Sequence, residues 1–166
     1  MTYDPLWLSV ALAFEGLRET SGPTSNPVIL KWARDIDAPG WYKDDDQPWC
    51  AVFLNRLFMA CQLPMAGTGF DLLRALTFAE WGVTLVEPAL GAVMVFERPQ
   101  GAHVGLYLGE RVDAYRVFGG NTNDAVGPAW LLKTRLRAIR WPLGMVLPTP
   151  SRVLLTADGA VSVNEA

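Results

Sequence analysis

The sequence predicts an α+β domain, with helices first and a small antiparallel sheet second. Up to about residue 82 the apolar residues recur at helical spacing. After Pro88 the texture changes to short runs rich in Val, Tyr and Phe, separated by Gly, Pro, Asp and Asn. The third observation is composition: 166 residues, 51% apolar and 19% charged, suffice for one packed core. Helices followed by strands is the pattern of a sheet covered by helices on one side.

The elements follow in order. Residues 5–17 place Leu6, Val10, Ala13, Phe14 and Leu17 on one helical face, and SGPTSNP breaks the chain after them. Asn26-Pro27 offers an N-cap with proline at the first helical position, opening a short helix through Val28, Ile29, Trp32 and Ala33. DAPGWYKDDDQP is a loop by its Pro, Gly and Asp content. Val52, Phe53, Leu57, Phe58 and Cys61 predict a buried helix from Cys50 to near Leu63-Pro64, with Cys61 on its inner face. A further helix is predicted from Asp71 to Trp81, stopped by Gly82. AVMVFE, HVGLYLG, AYRVFGG and LRAIRWP read as strands. The domain is thus expected over residues 1–142. Residues 143–166 form an extension whose alternating Val153, Leu155, Ala157 and Val161 suit strand addition, to its own sheet or to a neighbouring subunit.

Several function classes drop out on charge and composition. A net charge of −3 argues against nucleic acid as a partner, because phosphate binding favours a basic surface. No apolar run is long enough to span a bilayer, so membrane insertion is not expected. The apolar centre of MTYDPLWLSVALAFEGLRE lacks a preceding Lys or Arg and reads as an amphipathic helix, not a signal peptide; the chain is expected to be made in a cytoplasm. Cys50 and Cys61, eleven positions apart on one helix, would be separated by roughly 16 Å, too far for a disulfide. One histidine and two distant cysteines do not supply a zinc site, and no metal or cofactor is expected.

Chemistry concentrates in DDDQPWC. Cys50 falls at the boundary between an acidic, proline-broken turn and a helix, where free backbone N–H groups and the helix dipole favour a thiolate. The single histidine, His103, opens a predicted strand. A lone histidine is more often structural, but an imidazole paired with a thiol makes a nucleophile. A third polar group must then orient the ring, and Asn121 at the end of the next strand offers one, although GGNTND by itself reads as a turn. Trp49 is expected to pack beside the nucleophile. Asp44, Asp45 and Asp46 read as a solvated acidic loop, with Asp45 available to cap the helix or border the cleft.

Taken together, these residues resemble the NlpC/P60 and CHAP cysteine peptidases, and most closely the endolysin-like branch of phage and prophage proteins. The matching pieces, in one order, are EGLRETSGPTSNPVILKWA, the D-x-x-P-W-C element from Asp45 to Cys50, AVFLNRLF, Trp81-Gly82, PALGAVMVFER, HVGLYLG, FGGNTNDAV and IRWP. Ala102 stands where such proteins have glycine and Thr122 where they often have glutamine, departures that touch substrate fit more than chemistry. The resemblance implies a papain-like fold that cuts amide bonds of peptidoglycan. It implies Cys50 as nucleophile, His103 as general base and acid, Asn121 as orienting residue, and Gln47 as an oxyanion donor beside the Cys50 N–H. It also implies a phage setting; with no leader or wall-binding stretch evident and an extension suited to strand addition, carriage in a tail or tail-like particle is the expectation, and release as a free endolysin is the alternative. A particle structural protein and an acyl transferase using the same thioester are the competing classes.

Overall fold

The computed structural model describes residues 4–156 and 158–163, which form three helices and one six-stranded antiparallel sheet. The helices are α1 (Leu6–Leu12), α2 (Pro27–Asp35) and α3 (Cys50–Ala60). The strands are β1 (Val83–Thr84), β2 (Val93–Arg98), β3 (Gly101–Glu110), β4 (Ala114–Thr122), β5 (Ala125–Leu132) and β6 (Leu136–Trp141), in the spatial order β1-β6-β2-β3-β4-β5. The predicted α+β order holds: helices precede the sheet and pack against it.

α2 starts as its sequence dictates. The Asn26 side chain accepts a hydrogen bond from the Val28 N–H at 2.8 Å, and Pro27 follows with no N–H to leave unpaired. α3 is buried nearly all round, with Ala51, Val52, Phe53, Leu54, Asn55, Leu57 and Phe58 all inside. It lies in the middle of the aromatic core, where Phe53 meets Trp32, and Phe58 stacks on Trp81 with centroids 4.7 Å apart. Trp7 packs edge-on to Trp141 at 4.9 Å, tying the first helix to the last strand.

Three expectations change. α1 ends at Leu12, not residue 17, because Gly16 takes φ 87° and the chain turns to run along β5. There Gly16 N–H donates to Val126 O, and Val126 N–H donates to Leu17 O. The helix expected from Asp71 to Trp81 is two 3₁₀ turns, Gly69–Leu73 and Ala75–Glu80, broken by Arg74 in an extended conformation. β5 was hidden by Pro128, which argues against a central strand; β5 is an edge strand, where proline is tolerated.

The C-terminal extension adds to its own domain. Leu154 bridges Glu110 and Val161 bridges Trp130, both in parallel. Glu110 N–H donates to Val153 O at 2.7 Å, and Leu155 N–H donates to Glu110 O at 2.8 Å. Ala157, one of the four alternating residues, lies outside the described residues. Among those described, no helix is long and apolar enough to cross a membrane.

Candidate active site

Cys50 is the first residue of α3, and Trp49 is its N-cap. Trp49 is fully buried, with its indole N–H donating to Glu19 Oε1 at 2.6 Å. This fixes the approach of the loop to the helix. The loop is held from behind by Asp45, which neither caps α3 nor remains solvated. Asp45 is 1% exposed and accepts hydrogen bonds from the backbone N–H groups of Thr20 (3.1 Å) and Asn26 (2.7 Å). Its own N–H donates to Ser25 Oγ at 3.2 Å. Tyr42, also buried, donates from its hydroxyl to Gln47 O at 3.3 Å.

The sheet brings the other two residues to α3 by register. On β3, His103 stands opposite Phe96 of β2 and is 1% exposed. β3 and β4 pair from Leu106 opposite Phe118 outward, and Asn121 lies three residues past Phe118 on β4 as His103 lies three residues before Leu106 on β3. Close approach is possible because two glycines precede Asn121. A β-carbon at Gly119 would lie 3.6 Å from His103 Nε2, so that glycine lines the imidazole. A β-carbon at Gly120 would lie 2.6 Å from Trp49 Cζ3 and 2.7 Å from Phe53 Cβ, so that glycine seats β4 against the start of α3. Asn121 itself has φ 57° at an irregularity in the β4–β5 register and is 2% exposed. The hairpin turn of GGNTND is made further on, by Asn123 and Asp124 with φ 50° and 59°, which leaves Asn121 on the strand.

The N-terminus of α3 thus meets β3 at the step after His103 and β4 at the step before Asn121. The thiol is close enough to β3 for the backbone N–H of Val104, the residue after His103, to act on it. Cys50 is only 2% exposed, and burial, the largest influence, pushes its thiol above the ordinary value. The N–H groups of Val104, Ala51 and Cys50 and the positive charge of Arg98 pull the other way without overcoming it. Cys61, the C-cap of α3, packs against the core as expected but is less buried than Cys50. No family model, curated protein or solved structure matches the chain.

Gln47 is partly buried in the turn before Cys50; its Oε1 is shielded from solvent and accepts no hydrogen bond among the described residues. Among the described residues no three His, Cys, Asp or Glu side chains are grouped as a metal would require. Two residues near the site carried no sequence signal of a role. Arg98, the last residue of β2, bears on Cys50 through its positive charge. Glu19 reaches the site only through the turn that brings residues 16–19 alongside β5. The long-range register that places both is not written in local periodicity.

Proposed function

We propose that the chain is a papain-like peptidoglycan hydrolase that cuts an amide bond of the wall peptide through a Cys50 thioester. Cys50 Sγ attacks the carbonyl carbon as His103 takes the thiol proton. His103 then gives that proton to the leaving amine, and the C–N bond breaks. Water, deprotonated by His103, adds to the thioester and releases the acid and the thiol. Asn121 orients the imidazole. The Cys50 N–H, at the start of α3, faces the developing oxyanion, and the Gln47 amide is the second donor in this scheme. Because burial holds Cys50 as a thiol, the scheme has His103 remove the proton during attack and does not start from a standing thiolate.

The observation that carries this reading is the meeting of three separate segments at the start of α3: the loop ending at Trp49, the His103-Val104 step of β3, whose Val104 N–H acts on the Cys50 thiol, and the Gly119-Gly120 step of β4, which packs on Trp49 and His103. A cysteine kept only for packing does not need the only histidine beside it. The resemblance of the motifs to NlpC/P60 and CHAP enzymes supplies the substrate class. It also supplies the phage setting, in which the enzyme acts on the wall from outside or from within the host. The C-terminal segment already bonds its own domain at Glu110 and Trp130, which favours a free lysis enzyme over docking in a particle through that strand.

Purified sacculi incubated with the protein, followed by mass spectrometry of the released fragments, test the reading. A new amine paired with a new carboxylate is the expected product, absent with Cys50→Ala. Fragments joined to an added amine would assign acyl transfer instead, and intact sacculi would leave the assembly role.

A further inference from the structure

Trp41 and Phe70 are exposed, 52% and 56% accessible, whereas the other aromatic rings among the described residues are at least partly buried. They come from different loops yet touch, with ring centroids 5.9 Å apart and planes at 39°. The Arg74 guanidinium lies 5.8 Å from the Phe70 centroid, and Arg74 Nη1 is 3.7 Å from Asp71 Oδ1. Both supports are fixed. Trp41 adjoins buried Tyr42, whose N–H donates to Pro39 O and whose hydroxyl is tied to Gln47 O. Phe70 is two residues from buried Leu72, whose carbonyl accepts a hydrogen bond from Asn55 Nδ2 in α3 at 2.9 Å. Two large rings held in water by rigid anchors lose apolar burial without recovering it inside the fold.

We infer that Trp41 and Phe70, with Asp71 and Arg74, form a platform that binds a pyranose ring of the glycan strand. A sugar ring presents an apolar C–H face that suits the negative face of an aromatic ring, and hydroxyl and acetamido groups at its rim. Asp71 and Arg74 supply an acceptor and a forked donor beside the rings, both about half exposed. A cationic ligand is disfavoured because Arg74 already occupies the neighbourhood of Phe70. A nucleic-acid strand is disfavoured by the net charge of −3 and by exposed Asp46 on the same loop as Trp41. A protein partner would need roughly 800 Å² on this side, which two rings do not approach. The loop that carries Trp41 runs on into Trp49 and Cys50. The identity of the sugar as an N-acetylated one rests on the peptidoglycan reading.

The test uses the full chain with Cys50→Ala, which binds without cutting, and an N-acetylglucosamine tetramer followed by saturation-transfer NMR. Saturable binding that weakens at least tenfold on adding Trp41→Ala or Phe70→Ala, and recovers with Trp41→Phe, is expected. Absence of binding, or binding unchanged by both alanine substitutions, would overturn the platform. Both residues are half exposed, and an unchanged melting temperature in each variant confirms that the loss is local. Hydrolysis separates this from the enzyme reading. If the sugar binds as described but sacculi are never cut, the hydrolase falls and the platform stands. If sacculi are cut but the tetramer does not bind, or binds unchanged by both alanine substitutions, the platform falls and the hydrolase stands.

Discussion

Burial and the helix N-terminus act in opposite directions on Cys50, and burial wins. At neutral pH the resting thiol is therefore protonated, whereas half-buried Cys61 remains accessible. Iodoacetamide at pH 7 should label Cys61 before Cys50, with the Cys50 rate climbing only above its ordinary value of 9.0. Peptide mapping would check this, and rapid labelling of Cys50 at pH 7 would reveal a preformed thiolate. Cys50→Ser and His103→Ala should each reduce turnover to background. Asn121 needs a subtler variant, because alanine is strained at φ 57°. Asn121→Gly accepts that backbone and removes only the amide, so it should retain weak activity, measurable by fragment release, where His103→Ala retains none. Gly120→Ala should cost about 1–3 kcal/mol of stability in denaturant titration, since its methyl would overlap Trp49 and Phe53. Cys50, His103 and Asn121 are nominated by residue type and chain order read together with the family resemblance, and their roles remain part of the proposal. Arg98, Glu19 and the staple role of Asp45 are not legible there, because each depends on a contact between distant segments.

Among the elements, the helix cap at Asn26, the start of α3 and four of the six strands could be read from local pattern. β5 and the 3₁₀ turns at 69–80 could not. Edge position excuses Pro128, and the extended Arg74 that splits residues 69–80 into two short turns is set by tertiary contacts that helical periodicity does not show. The end of β3 carries the clearest element-scale interaction. Glu110 is buried between Lys133, at 2.7 Å, and Arg152, with which its carboxylate is directly paired. Burial raises its pKa, but hydrogen bonds from Lys133 and Arg152 outweigh burial and hold it below the ordinary 4.5. A lowered carboxylate pKa stabilises the fold above the unfolded value, and that stability is lost as pH falls through the folded value. Glu110→Gln should thus cost about 1–3 kcal/mol at pH 7. It should also flatten the loss of stability below pH 4.5, as followed by thermal melts across an acid series. A steep acid transition surviving in the variant would assign that loss to other carboxylates.

On the scale of the whole molecule, the buried acids with raised pKa set a limit at the other end of the pH range. Tyr42 and Cys50 are both raised, chiefly by burial. The folded state then holds protons that the unfolded chain releases, so stability is full below the ordinary values of 9.0 and 10.0 and falls as pH rises beyond them. Denaturant midpoints should decline above pH 9, and Tyr42→Phe should make that decline shallower.

Sheet order has a consequence for how the chain is born. β6 is the last strand of the sheet in sequence, yet it inserts between β1 and β2, while the three candidate site residues are spread over positions 50 to 121. Until Trp141 has cleared the ribosome, β2 presents an unpaired edge rich in Val, Met and Phe, and the aromatic core lacks Trp141 against Trp7. Nascent chains stalled before residue 136 should be captured by chaperones and cut readily by protease, and those released after residue 141 should not. Translation itself would then delay assembly around the candidate thiol, since Cys50 is synthesised early but the sheet that covers it closes only when the polypeptide is nearly complete.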